Sequence, residues 1–189
     1  MAWLRNNDKR SDQQLIEVCN SGSSSEASRA FETLYRRHKD FVLRVALRYC
    51  HNHDLALDAL QETFSYLLRK FPPTGPGLTL SSRFTTLLYP VAKNSSISAA
   101  RKAERYVPSG VDPDTLPAVS ERIDSDIHSL QDELPDARRE VVLLRFVDDM
   151  SLQDIAEALD IPLGTVKSRL HLAIRQLRES PAAKKFFSS

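Results

Sequence analysis

The 189-residue chain has two cysteines, five glycines and one tryptophan. Cys19 and Cys50 cannot build a disulfide framework, which suits a reducing compartment. With so few glycines, neither G-x-G-x-x-G nor G-x-x-x-x-G-K-[ST] occurs, which excludes those phosphate-cradling loops. No window reaches the roughly 18 consecutive apolar residues of a membrane-spanning helix. The N-terminal stretch MAWLRNNDKR lacks the apolar run of a secretion signal, so a cytoplasmic protein without membrane insertion is expected. Alternating apolar and polar residues nowhere persist long enough for a strand. No Ser/His/Asp or Cys/His order marks a nucleophile. Cys50-His51-Asn52-His53 fits no common zinc spacing. No enzyme activity, cofactor or metal is therefore expected.

The chain also lacks net charge: 26 basic groups face 25 acidic ones, for a total of +1. That sum hides segregation. Residues 27–106 carry 13 basic and 6 acidic groups, net +7, whereas residues 107–136 carry 1 and 8, net −7. Residues 163–185 hold six basic groups against Glu179, net +5. Two basic blocks separated by an acidic one suit phosphate neutralisation, with the acidic stretch restraining non-specific DNA binding.

Between the breakers the apolar period is helical. Phe31, Leu34, Tyr35, Val42, Val45, Ala46 and Tyr49 recur at steps of three and four, as do Leu55, Ala59, Leu60, Thr63, Phe64, Leu67, Leu68 and Phe71. A third segment starts near Ser81 with Phe84, Leu87, Leu88 and Val91 inward, and Pro90 is expected to kink or break it. Ser21-Gly-Ser-Ser-Ser25 and Pro72-Pro-Thr-Gly-Pro-Gly77 read as loops, and Val107-Pro-Ser-Gly-Val-Asp-Pro-Asp-Thr-Leu-Pro117 as an interdomain linker. Ile123, Ile127, Leu130 and Leu134 mark a short helix. Pro135 suits the first turn of the next, whose apolar residues are Val142, Leu143 and Phe146. The expected fold is all-α: an N-terminal extension 1–26, a helical domain 27–106, a Pro-rich acidic linker 107–122, a second helical domain 123–180 and a tail 181–189.

The second domain carries the most specific pattern. Ser151-Leu-Gln-Asp154 resembles a capping box and opens a short helix with Leu152, Ile155, Ala156 and Leu159 inside. Asp160-Ile-Pro-Leu-Gly164 is a turn. A longer helix follows, with Val166, Leu170, Ala173, Ile174 and Leu177 on one face and Lys167, Ser168, His171, Arg175 and Arg178 on the other. This is a helix-turn-helix, whose second helix enters the major groove of DNA. Lys167, Ser168 and His171 can reach base edges, while Arg169, Arg175 and Arg178 suit phosphates.

At this point the chain resembles the sigma-70 family of bacterial RNA polymerase sigma factors, of the extracytoplasmic-function (ECF) type. Leu134-Pro-Asp-Ala-Arg-Arg-Glu-Val-Val-Leu-Leu-Arg145, Met150-Ser-Leu-Gln-Asp-Ile-Ala-Glu-Ala-Leu159 and Gly164-Thr-Val-Lys-Ser-Arg-Leu170 are similar to region four, which reads the minus-35 element. Asp58-Ala-Leu-Gln-Glu-Thr-Phe64 is similar to the region-two helix that docks on core polymerase. Phe84-Thr-Thr-Leu-Leu-Tyr-Pro-Val-Ala-Lys-Asn94 resembles the segment that handles the minus-10 element, with Pro90 where the family usually has Arg and Leu87 where it often has Trp.

The resemblance implies minus-35 contacts from Thr165, Lys167, Ser168, Arg169, His171 and Arg175. It implies minus-10 contacts from Arg83, Tyr89, Lys93, Asn94, Arg101 and Lys102, and polymerase contacts from Asp58, Gln61, Glu62 and Ser65. Single-stranded DNA needs charge together with groups that stack on a base, and Tyr89 is the expected stacker, Phe84 being assigned to the core. The implied partners are core RNA polymerase (β′ clamp helices and β flap) and promoter DNA, with an anti-sigma factor as a further one. The competing reading is a free-standing helix-turn-helix regulator that binds duplex DNA as a dimer.

Overall fold

A computed structural model describes residues 8–50, 52–106 and 134–179. They contain seven helices and no strand: α1 (Asp12–Ser21), α2 (Ser24–Leu47), α3 (His53–Leu68), α4 (Phe84–Tyr106), α5 (Asp136–Phe146), α6 (Leu152–Leu159) and α7 (Leu163–Glu179). α1–α4 fall in one compact unit and α5–α7 in a second. The expected linker 107–122, the helix marked by Ile123, Ile127 and Leu130, and the tail 181–189 lie outside the described residues. No helix among the described residues is long and apolar enough to cross a membrane.

In the first unit, residues 12–21 of the segment expected to be an extension form a helix, α1, packed on α2. Ser11 caps α1: its Oγ accepts from the Gln14 N–H at 3.3 Å, and its own N–H donates to Gln14 Oε1 at 2.8 Å. Leu15, Ile16 and Cys19 are buried against α2. The serine run is shorter as a loop than its composition suggests. Gly22 ends α1, and Ser23 begins α2 by donating from N–H and Oγ to Glu26.

Asp12 fixes α1 to α2. One carboxylate oxygen lies 2.8 Å from His38 Nε2, and the other accepts from Arg37 at 3.0 Å. The His38 hydrogen bond, followed by Arg37, holds the Asp12 carboxyl below the usual carboxylate range. A lowered folded-state pKa contributes stability above the ordinary carboxylate pKa, and that contribution is lost as pH falls through the folded value. Asp12→Asn should therefore lower the thermal midpoint at neutral pH. The gap to wild type should narrow as pH falls below about 4 and close only below the lowered folded-state value, where the Asp12 carboxyl is neutral in both states; thermal unfolding from pH 7 down to about pH 2 checks this.

α2, α3 and α4 pack on one another. Aromatic rings knit the first two: Tyr35 meets Phe64 edge-on at 4.8 Å, and Phe31 meets Phe64 at 6.3 Å and Phe71 at 6.0 Å. Leu68 departs from the expected stripe and is 53% exposed, because it shares the outward face of α3 with Leu57 and Gln61.

α4 corrects the sequence reading in phase. Its buried residues are Phe84, Thr86, Leu88, Tyr89, Ala92, Ser96 and Ala100, whereas Leu87 and Val91 are half-buried. Pro90 does not break the helix. It removes one helical hydrogen bond, and burial on either side of it holds the turn. Before α4, Asn20 of α1 clasps the loop: its Nδ2 donates to the Leu78 carbonyl at 2.8 Å and its Oδ1 accepts the Leu78 N–H at 2.9 Å.

In the second unit, Pro135 caps α5 from outside its first turn. Val141, Leu143 and Leu144 are buried together with Met150, Ile155, Val166 and Ala173. Phe146 was expected inward but is 63% exposed. The four-residue apolar run Val141–Leu144 permits two phases, and the structure takes the Val141/Leu144 face, which turns Phe146 outward.

Candidate nucleic-acid and polymerase interface

The helix-turn-helix is built by local chemistry. Ser151 Oγ accepts from the Asp154 N–H at 3.0 Å and donates to Asp154 Oδ2 at 2.6 Å, which starts α6. Asp160 ends it in the left-handed region, at φ 51° and ψ 49°. The Pro162 carbonyl then accepts from the Thr165 N–H at 2.8 Å as α7 begins. The turn is thus 160–162, and Leu163 and Gly164 already belong to α7. Arg138 ties α5 to α7 by donating to Gln176 Oε1 at 2.9 Å.

Helical spacing then divides the α7 side chains. Lys167, Ser168, His171, Arg175 and Arg178 are exposed on one face. Val166 and Ala173 hold the opposite side in the core. Thr165 and Arg169, expected among the DNA contacts, lie off the exposed stripe and are half-buried.

In the first unit, α3 and α4 border a groove of about 760 Å³. Asp58, Gln61, Glu62 and Ser65 line one wall, with Asn94 and Lys102 on the other and Ala59 and Ala99 between them. The structure therefore brings together two residue groups assigned to different partners. Glu62 accepts from Arg69 at 2.8 Å in an exposed pair, and pairs of this kind add little stability.

Asn94, Ser98, Arg101 and Arg105 share an exposed face along α4. Ser98 was missed because serine carries no charge signal. Its place in the i, i+4, i+7, i+11 series would have found it. Lys93 sits apart, half-buried, with its Nζ 5.6 Å from the Tyr49 ring centre. Arg83 is exposed just ahead of α4.

Tyr89 requires a correction. It is 1% exposed, and its hydroxyl lies 3.0 Å from that of Tyr49. A buried ring cannot stack on an extruded base, so the stacking role is withdrawn. Phe84 is 2% exposed and edge-on to His38 at 5.1 Å, as expected of a core residue.

Local structure also accounts for Cys50, Asn52 and His53. Asn52 caps α3 by accepting from the Leu55 N–H at 2.8 Å, and His53 is the first, exposed residue of α3. Burial pushes the Cys50 thiol up, so it stays protonated, and its Sγ lies 3.7 Å from the Ser96 carbonyl. Burial likewise pushes Cys19 up to about 11. Both thiols are buried and protonated at neutral pH.

A helical unit with a grooved, charged surface and a second unit with a basic-faced helix-turn-helix define a two-part DNA-binding protein. Residues 34–106 match the family model "Sigma-70 region 2" and residues 125–177 match "Sigma-70, region 4". The RNA polymerase sigma factor SigV of Bacillus subtilis is 31% identical over 146 residues, covering 75% of this chain and 84% of that one. The ECF sigma factor SigW of the same organism is 30% identical over 169 residues, covering 79% and 88%.

Two solved structures share the fold. CnrH, in complex with the cytosolic domain of CnrY, has a TM-score of 0.62 at 20% identity, covering 89% of this chain and 95% of that one. The sigma factor RpoE of Bartonella quintana, in complex with the anti-sigma factor NepR, has a TM-score of 0.57 at 23% identity, covering 79% and 94%. The chain belongs to the sigma-70 family. It is an RNA polymerase sigma factor of the ECF type.

Proposed function

We propose that the second unit reads the minus-35 element through the exposed α7 stripe while the first unit holds core polymerase and engages the minus-10 element. The observation that carries this reading is the stripe itself: Lys167, Ser168, His171 and Arg175 run along the outward face of the second helix of a helix-turn-helix. Lys167, at its N-terminal end, can donate to guanine O6 and N7. His171 follows one turn later, and Arg175 suits a phosphate.

Asp58, Gln61, Glu62 and Ser65 form the polymerase face, where carboxylates and an amide suit an Arg-bearing partner helix. Asn94, Arg101 and Lys102, with Arg83 and Lys93 nearby in sequence, supply positive charge and hydrogen bonds to the minus-10 element. No residue performs covalent chemistry: the polymerase makes the RNA, and this chain selects where it starts. It acts where the polymerase acts, in the cytoplasm. An anti-sigma factor is a further expected partner, as the complex of RpoE with the anti-sigma factor NepR suggests. A dimeric repressor would have no use for a region-two unit.

Two kinds of substitution test the reading. Lys167→Ala or His171→Ala should change base preference within the minus-35 element. Arg175→Ala should weaken all sequences alike and flatten the slope of log affinity against log salt by about one. Binding to single-base promoter variants over a salt series separates these outcomes. Equal losses across all variants for Lys167→Ala would refute its reading role.

A further inference from the structure

Four glycines fall within the described residues, and three answer to the protein's own structure. A Cβ on Gly22 would lie 2.6 Å from the Val18 carbonyl oxygen, and one on Gly75 would lie 2.4 Å from that of Lys70. Gly77 has φ +98° and faces Asn20. Gly164 is different. A Cβ there meets no other atom within 4 Å, and its φ lies outside the left-handed region. It is nevertheless helical, the second residue of α7, although glycine is the poorest helix former after proline. Nothing among the described residues asks for glycine here.

Its position points outward. Lys167, Ser168, His171, Arg175 and Arg178 follow Gly164 at i+3, i+4, i+7, i+11 and i+14, so it heads the exposed stripe. The stripe thus begins with a gap at the helix end that meets base edges in a helix-turn-helix. We propose that Gly164 is a clearance for duplex DNA: the missing side chain lets one strand of the major groove press against the backbone of α7, which sets how deeply the helix seats. Gly164 then positions Lys167 and His171 rather than reading a base itself. This proposal rests on the assignment of α7 to minus-35 recognition.

The test compares Gly164→Ala and Gly164→Met with wild type in the full chain assembled with core polymerase. The DNA is a promoter fragment recovered by selection from a random library. Thermal unfolding of the free chain is measured in parallel. Alanine should raise the unfolding midpoint of the α5–α7 unit by a few degrees, since it is the better helix former. Promoter affinity should fall about tenfold with alanine, as a one-carbon steric misfit, and further with methionine. The salt slope should stay at the wild-type value, because no phosphate contact is removed.

Wild-type affinity in the alanine variant overturns the clearance while leaving the minus-35 assignment intact. A lowered midpoint also overturns it, since the glycine would then serve the fold. Wild-type protein whose promoter binding ignores the minus-35 sequence overturns both.

Discussion

Asp58→Lys combined with Glu62→Lys should abolish promoter-dependent transcription while leaving the fold intact. Both carboxylates are exposed on α3 and line the groove against α4. Reversing them turns attraction for a basic partner helix into repulsion, and like-charge juxtaposition across an interface costs several kcal/mol. Affinity for core polymerase should fall by about 100-fold or more. The cost to folding is small, since the Glu62–Arg69 pair is solvent-exposed and such pairs contribute at most about 1 kcal/mol. Competition with wild type for a limiting amount of core polymerase gives the measurement, with helix content by circular dichroism as the control. Undiminished affinity would remove α3 from the polymerase interface.

Leu144→Ala should be the most damaging change in the second unit. Leu144 is 0% exposed, in a small core that among the described residues also holds Val141, Met150, Ile155 and Val166. Truncating a buried leucine costs about 2–5 kcal/mol through lost transfer free energy and the cavity left behind. A core this small has about 3–5 kcal/mol in all to lose. The α5–α7 unit should therefore be largely unfolded at 37 °C, and transcription that depends on the minus-35 element should disappear. Amide exchange locates the effect: protection should vanish across α5–α7 and persist across α1–α4. A loss below about 1 kcal/mol would contradict the packing described.

The helix-turn-helix was legible almost residue by residue, because three local signals agree there. Ser151 with Asp154 starts α6, Pro162 marks the turn, and the steps from Val166 to Ala173 set the face of α7. Elsewhere the helices were legible but their phase was not. In α4 the large apolar residues Leu87 and Val91 drew the stripe, whereas Ala92, Ser96 and Ala100 line the buried side. Small residues let helices approach closely, yet they carry little hydropathy signal. Tyr89 was misplaced for the same reason: with the stripe rotated, a buried tyrosine looked like an exposed one. The run Val141–Leu144 offered two faces, and only packing chose between them.

The candidate site divides similarly. Exposed charges at helical spacing, such as Lys167 and Arg175, could be read from the chain. The groove could not, because it requires Asp58 and Glu62 on one helix to face Asn94 and Lys102 on another. That pairing depends on how α3 packs on α4. It matters for function, since a protein filling the groove would touch residues assigned to polymerase and residues assigned to DNA at once. Gly164 was quoted within a motif, but its open surroundings appear only in three dimensions.

Run-off transcription with purified core polymerase tests the central claim most directly. The template is a genomic fragment library, and the full chain is the only added factor. The account predicts discrete transcripts whose start sites share a minus-35 and a minus-10 element. It also predicts that these transcripts disappear with the Asp58→Lys/Glu62→Lys variant. A chain that starts no transcript from any fragment, yet binds a palindromic duplex by itself as a dimer, would contradict it.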